Sequence, residues 1–346
     1  MKIALISSPR QVTPPVKYGG IELVVSTLAE ELHMLGHDVT LLASGDSKTS
    51  ATLYSIQKEA TQAKTHHIDT ELESAYDFRS MVTAADFLET HEFDIIHNNA
   101  EWLFLPFARR LRSPVVTTCH KNYKQAPAKG RMLMEFKELP YVSISNSQRE
   151  LLPELNYVST IHHGIDLGPY EFNDTPEDYL LFLGRITPQK NLTGAIEIAK
   201  RTNTKLLIAA KIDLKDEPYY KAEIEPLIDG ESIVYLGEVG LSEKVKLLKN
   251  AKALLSPVTW SEPFGMVNIE AMACGTPVIG SNWGALPEII TPETGFACDT
   301  LEDMCSAVER LDTIERRKCR ERVEERFNAR TMTHQYVELY KSLLGA

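Results

Sequence analysis

The sequence predicts an α/β protein built from two doubly wound, mainly parallel sheets. Three observations carry that reading. Residues 3–6 and 179–183 are continuous apolar runs, not alternating ones, which is the pattern of strands covered on both faces. Each run is followed by a loop, an amphipathic helix and another run, the order of a βαβ unit. A polar, proline-bearing stretch from Pro169 through Asn173, Asp174, Thr175 and Pro176 to Asp178 divides two such series. A chain of 346 residues is long enough for two cores. Domains are therefore expected at 1–168 and 169–326, with 327–346 as a terminal helix.

Composition narrows the function classes. With 43% hydrophobic and 25% charged residues the chain is globular, and a net charge of −11 argues against a general nucleic-acid binder. Five scattered cysteines without CxxC spacing suggest free thiols in a reducing compartment. The apolar start at residues 3–6 is too short for a signal peptide or a membrane span. A soluble cytoplasmic protein without a transmembrane segment is the expectation.

Taken in order, the first strand at 3–6 leads into a loop with Pro9, Pro14 and Pro15, then Tyr18, Gly19 and Gly20. A helix at 21–35 closes on Gly36, and 39–43 is the second strand. Ligands of such sheets sit beyond the carboxyl ends of the strands, so Gly19 and Gly20 are placed for close backbone approach to a phosphate. A turn that needs positive φ is the plainer reading. No G-x-G-x-x-G occurs here, which weighs against a nicotinamide oxidoreductase. Residues 51–76 are poorly patterned, and 78–90 read as a helix. Strands follow at 94–97, with His97 at its mouth, at 114–120, with His120 at its end, and at 141–147, running into a helix from Gln148.

Between Arg109 and Lys137 stand eight cations (Arg109, Arg110, Arg112, Lys121, Lys124, Lys129, Arg131, Lys137) against Glu135 alone. A solvated loop and helix face is the common outcome for such a stretch. The sharper reading is a site for an anionic acceptor, or a contact with anionic membrane.

In the second half, a strand at 179–183 runs into Gly184 and Arg185, with Lys190 five residues on, before a helix at 192–201. Two cations at one strand-to-helix junction suit a diphosphate, Arg185 as a fork and Lys190 as a point charge; solvated surface cations are the alternative. A strand follows at 205–210, a strand and loop at 233–239, a helix at 241–250 and a strand at 253–257. Then come a loop through Glu262, Pro263 and Gly265, a helix at 266–274, a stop at Gly275 and Pro277, and a strand at 277–280. The amides from Gly265 to about Asn268 are free donors of a helix N-terminus, which suits phosphate. Glu270 sits on an otherwise apolar helix, where an unpaired carboxylate would be costly, so it is expected to have a partner. Residues 302–344 are helical in pattern, with Phe327, Tyr336, Leu339 and Tyr340 forming an apolar face.

E-P-F-G at 262–265 followed by E-A-M-A-C-G-T-P-V at 270–278 resembles the Glu-x7-Glu signature of the retaining nucleotide-sugar glycosyltransferases of family 4. The resemblance extends in family order over nearly the whole chain: Gly19-Gly20, T-x-H ending at His120, H-G-I-D ending at Asp166, Gly184-Arg185 with Lys190, and Gly284-Ala285-Leu286-Pro287-Glu288, which resembles the family's G-x-P-E turn. It implies the GT-B fold, two Rossmann-like domains facing each other across a cleft, with the last helix crossing back onto the first. It also implies site roles. His120 would contact the donor sugar, and His97 matches the weaker D-I-I-H element. Arg185 and Lys190 would neutralise the leaving diphosphate with the help of Gly20, and backbone groups of Gly237, Glu238 and Val239 would hold the nucleobase. Glu262 would hold sugar hydroxyls, Glu270 the ribose hydroxyls, and Phe264, Gly265, Met266 and Val267 the donor sugar and phosphate.

The implied reaction moves a sugar from a nucleoside-diphosphate sugar, UDP-sugars favoured, to a small-molecule or glycan acceptor hydroxyl. No D-x-D motif occurs, so no metal and no other cofactor is expected. Ala209, Ala210 and Lys211 depart from the family, which usually has a glycine near there. Rival readings are a sugar-nucleotide epimerase or hydrolase on the same scaffold, and a non-catalytic nucleotide-sugar-binding protein, although Arg185, Lys190 and Glu262 are all present. Donor base, donor sugar, acceptor and oligomeric state are not legible in the sequence.

Overall fold

The computed structural model describes residues 1–17, 19–62 and 70–345. Tyr18, Ala346 and residues 63–69 of the unpatterned 51–76 stretch lie outside the described residues. Two compact units emerge, one from Met1–Gly164 with the last helix of the chain, the other from Ile165–Asn328.

In the first unit the strands are β1 (Lys2–Ile6), β2 (Asp38–Ser44), β3 (Thr52–Gln57), β4 (Ile95–Asn98), β5 (Val115–Thr118), β6 (Tyr141–Ser143) and β7 (Tyr157–Thr160). They form one sheet in the order β3-β2-β1-β4-β5-β6-β7, with every pairing parallel. The longer helices are α1 (Gly20–Met34), α2 (Thr70–Thr90) and α3 (Pro127–Glu135). Ile3, Ala4, Leu5 and Ile6 of β1 are fully buried, which is why the strand reads as an unbroken apolar run. Burying each such large aliphatic side chain contributes about 2 kcal/mol.

The second unit contains β8 (Tyr179–Arg185), β9 (Lys205–Lys211), β10 (Ile233–Gly237), β11 (Ala253–Ser256), β12 (Val278–Ser281) and β13 (Gly295–Cys298). Their order is β10-β9-β8-β11-β12-β13, again parallel throughout. Helices α4 (Leu192–Arg201), α5 (Leu241–Asn250), α6 (Met266–Ala273), α7 (Leu301–Glu309) and α8 (Arg316–Arg326) accompany it. The Leu180 and Phe182 side chains of β8 pack with Ile196 and Ile198 of α4 and with Ala307 and Val308 of α7. The final helix, α9 (Ala329–Leu344), belongs to the first unit.

Each sheet reverses its winding once, between β1 and β4 in the first unit and between β8 and β11 in the second. In an open α/β sheet the crevice outside the strand ends at such a point is where ligands bind. The loops that matter are therefore those after β1, β4, β8 and β11.

Several elements differ from the sequence reading. The unpatterned 51–76 stretch holds β3, and β7 was not anticipated. Both are edge strands with mixed burial, so they lack the continuous apolar run that marks their neighbours. The strand expected at 141–147 stops at Ser143, because Ser145 caps a short helix, Asn146–Arg149, by accepting from the Gln148 N–H. The helical 302–344 stretch is three helices, broken by a 3-10 turn at Leu311–Thr313 and again around Phe327 and Asn328.

Candidate functional site

In the second unit the expected residues gather at the winding reversal. The chain leaves β8 through Arg185 and makes a 3-10 turn at Pro188–Lys190. Asn191 then starts α4 from a left-handed conformation, its side chain accepting from the Gly194 N–H at 3.2 Å. This brings Lys190 to the loop that follows β11. There the Lys190 ammonium donates to Glu262 Oε2 at 2.6 Å, and the Trp260 indole N–H donates to the same oxygen at 2.9 Å. Glu262 is only 8% exposed. A carboxylate buried to this degree requires partners, and Lys190 and Trp260 supply them.

Arg185 lies beside another carboxylate. Its guanidinium lies 3.5 Å from Asp213 Oδ2, while Lys211 Nζ lies 2.9 Å from Oδ1. Burial alone would raise the Asp213 carboxyl, but the bonds and charges of Lys211 and Arg185 outweigh it and hold the pKa below the usual carboxylate value. Lys211, where the family usually has a glycine nearby, therefore supplies a further cation at this end of the sheet.

The α6 helix opens at Gly265, whose φ is +90°. A Cβ there would sit 2.5 Å from Asn268 Nδ2 and 3.4 Å from Glu262 Cγ, so both the conformation and the space demand glycine. The Asn268 N–H donates to the Gly265 carbonyl at 3.0 Å, so the free-donor set expected from Gly265 to Asn268 ends before Asn268. Met266 and Val267 open the helix and keep first-turn amides. Glu270, 4% exposed, has the partners that burial calls for: Oε1 accepts from Lys244 Nζ at 2.6 Å and from the Tyr170 hydroxyl at 2.8 Å. Burial, then the Glu270 charge beside it, push the Tyr170 phenol far up. Phe264 turns its ring inward, edge-on to Phe327 at 6.0 Å between centroids, so only its backbone is left for a donor.

The turn from Gly284 to Glu288 supports this loop. Gly284 has φ +63°, and a Cβ there would strike the Glu262 backbone; the next N–H, from Ala285, donates to the Glu262 carbonyl at 2.9 Å. Glu288 gives its carbonyl to Arg322 Nη2. At the end of β10, Gly237 has φ +78°, followed by exposed Glu238 and half-buried Val239.

In the first unit, Gly19 precedes α1 and Gly20 is its first residue. The structure gives Gly19 a packing reason: a Cβ would meet Pro15 Cβ at 2.6 Å and Gln11 Oε1 at 2.7 Å. His97, placed at the mouth of a crevice by the sequence reading, is fully buried. Its Nδ1 bonds the Tyr340 hydroxyl and its Nε2 bonds Thr118 Oγ1, both at 2.7 Å, under the tyrosines of α9. Burial pushes its pKa down to about 3. It is a packing residue.

His120 is different. It follows β5, is 7% exposed, and its N–H donates to Glu101 Oε1 at 2.7 Å. Its ring bonds Asn99 Oδ1 through Nε2 at 3.0 Å and lies against the His163 ring, with Nδ1 3.4 Å from His163 Nε2. Burial first, then the charges of Lys121 and His97, hold His120 neutral at ordinary pH. Sequence reasoning missed Glu101. It is fully buried in a left-handed conformation (φ +56°) and also accepts from Tyr123 and Lys121, at 2.6 and 2.7 Å. A non-glycine residue held there marks an over-determined site. The available signal was the polar run Asn98, Asn99, Glu101 directly after an apolar strand.

The basic 109–137 stretch is partly neutralised from outside its bounds. Arg109 pairs with Glu138 at 2.6 Å, Arg110 with Glu89 at 2.8 Å and Lys121 with Glu101. Lys129 lies over the Trp102 ring. Among the described residues no group of His, Cys, Asp or Glu is placed to hold a metal ion, and no helix is long and apolar enough to cross a membrane.

Two family models match consecutive parts of the chain: Glycosyltransferase Family 4 over residues 18–169 and Glycosyl transferases group 1 over 170–331. An uncharacterized glycosyltransferase of Methanocaldococcus jannaschii is 28% identical over 337 residues, covering 85% of this chain and 83% of that protein. AviGT4, a glycosyltransferase involved in avilamycin A biosynthesis, shares the fold with a TM-score of 0.78 at 24% identity, over 100% of this chain and 98% of its own. HepE of Anabaena, solved with UDP and glucose, shares it with a TM-score of 0.76 at 16% identity, over 99% and 100%.

Proposed function

Starting from a chain that is a glycosyltransferase of the GT-B type, with a family 4 first half and a group 1 second half, we propose that it retains anomeric configuration as it transfers a sugar from a nucleoside-diphosphate sugar, UDP-sugars favoured, to an acceptor hydroxyl. The observation that carries this is the meeting of Arg185, Lys190 and the α6 N-terminus at the winding reversal of the second sheet. Cations and helix amides at one end of one sheet suit a leaving diphosphate, on which negative charge grows in the transition state. HepE, similar in fold, was solved with UDP-glucose, which supports the uridine preference.

In this reading Arg185 forks onto one phosphate and Lys190 leaves Glu262 for the other. Glu262 then takes sugar hydroxyls. Glu270, whose Oε1 is held by Lys244 and Tyr170, offers Oε2 to the ribose. Backbone groups of Gly237, Glu238 and Val239 hold the base. The protein's cations supply the charge stabilisation, so the reaction is proposed to need no metal. No side chain is assigned as a nucleophile; the leaving phosphate takes the acceptor's proton as the acceptor attacks on the same face. On the first unit, neutral His120 serves as a hydrogen-bond partner to a sugar hydroxyl. The cations of the basic stretch favour an anionic acceptor, and the free state of all five cysteines goes with a cytoplasmic setting.

A thermal-shift panel of UDP, GDP, ADP, CMP and dTDP, with UDP- and GDP-sugars and without metal, tests the reading. A selective rise with one diphosphate, lost in Arg185→Ala and Lys190→Ala, is expected. The absence of a shift with every nucleotide would overturn it.

A further inference from the structure

Asn268 stands out among the buried polar side chains of the second unit. It is 1% exposed, and neither its amide nitrogen nor its amide oxygen has a hydrogen-bond partner among the described residues. An amide buried in this way loses two sets of bonds to water and gains none, which native structures avoid unless something else occupies the place. Its position says what that is. Asn268 is in the first turn of α6, and helical side chains lean toward the N-terminus. The amide accordingly reaches back to the helix start, with Nδ2 2.5 Å from where a Cβ on Gly265 would be and the Glu262 side chain flanking the same point. Gly265 is therefore the residue that makes room for this amide.

We propose that Asn268 is a further ligand-contacting and specificity-determining residue, reading the junction between diphosphate and sugar. This rests on the donor reading above and deepens it. A carboxamide is a donor on one side and an acceptor on the other. A diphosphate oxygen can only accept, so it satisfies the Nδ2 side alone. A sugar hydroxyl can donate to Oδ1, so a nucleoside-diphosphate sugar satisfies both sides and the free nucleoside diphosphate only one. Asn268 thereby favours the intact donor over the product. The first-turn amides of α6 bind phosphate equally in either molecule, so the discrimination comes from the side chain.

Asn268→Leu is the decisive variant, because it fills the same space with no polar group to satisfy. Without ligand it is expected to unfold at a higher temperature than the wild type, since an unsatisfied amide is removed. By calorimetry it is expected to bind UDP-glucose about tenfold or more weakly, with a smaller loss for UDP, so that the preference for UDP-glucose over UDP shrinks. Asn268→Asp replaces the donor with a carboxylate that repels the diphosphate, so UDP binding is expected to suffer more than in Asn268→Leu. A lower melting temperature in Asn268→Leu with unchanged binding of both ligands would overturn the proposal and make Asn268 a structural residue. Equal losses for UDP and UDP-glucose would overturn the specificity role. A wild type that binds neither this pair nor GDP and GDP-mannose would instead overturn the donor reading beneath it, and the unfolding comparison separates that failure from the others.

Discussion

At the carboxyl end of the first sheet three buried histidines are neutral and Glu101 is the buried carboxylate, paired with Lys121, whereas at the same end of the second sheet carboxylate–lysine pairs predominate. His97, His120 and His163 share hydrogen bonds with Tyr340, Thr118 and Asn99, and burial holds all three unprotonated. In the second unit Lys190 meets Glu262, Lys244 meets Glu270, and Lys211 meets Asp213. The contrast reaches the composition: all ten histidines fall outside residues 165–328. Neutral rings recognise hydroxyls without competing for charge. Ion pairs suit a site that must exchange one anion for another, because the cation is already in place when the phosphate arrives.

The strongest test of this contrast removes one cation. Lys190→Ala is expected to lower kcat/KM by roughly a hundredfold to a thousandfold, the scale of losing one group that stabilises a leaving charge. It also strands Glu262, so urea denaturation should show a loss of about 1–3 kcal/mol. An activity loss without any stability loss would mean that the ion pair does not hold the resting site together.

Acid should separate the two units next. Unfolded histidine titrates near 6.5, whereas His97 takes a proton only at about 3 and His120 and His163 well below the ordinary value. Below pH 6.5 the unfolded first unit therefore binds protons that the folded one refuses. Each of the three histidines then withdraws stability at up to about 1.4 kcal/mol per pH unit. Glu22 and Asp77, whose carboxyls burial pushes up, act with the opposite sign over windows that begin at the ordinary carboxylate values. The three histidines outnumber them. Hydrogen exchange at pH 7.5 and 5.5, corrected for intrinsic rates, should show protection falling more in β4, β5 and α9 than in β8 and β11. Equal losses would break the comparison.

Smaller effects sharpen it. Tyr340→Phe leaves His97 Nδ1 without its partner and should cost about 1–3 kcal/mol in chemical denaturation with kcat unchanged, as befits packing. Arg109→Ala removes an exposed pair with Glu138 and should change stability by less than about 1 kcal/mol. If acceptor KM rises in that variant, the basic stretch touches the acceptor.

What was legible in the chain follows the same physics. Central strands announced themselves because burial on both faces enforces unbroken apolar runs, as in Ile3, Ala4, Leu5 and Ile6. The edge strands β3 and β7 carry residues such as Ser55, Gln57 and Ser159 and left no such trace. The apolar surroundings of Glu270 implied a partner but could not name it, because Tyr170 and Lys244 lie 100 and 26 residues away. His97 and His120 had the same local pattern. Only the tyrosines of α9, more than 200 residues further on, decide that one of them is sealed.

The short bond from Lys190 to Glu262 also bears on product release. One ammonium cannot hold the carboxylate and a phosphate equally well, so a bound diphosphate competes with a tethered anion at high effective concentration. On the proposed reading, the sugar hydroxyls of an intact donor give Glu262 other partners and balance the exchange. After transfer the diphosphate offers Glu262 nothing, and the carboxylate reclaims its lysine. On that reading the bond also hastens the departure of the spent nucleotide, and Glu262→Gln is expected to slow UDP dissociation in stopped-flow displacement.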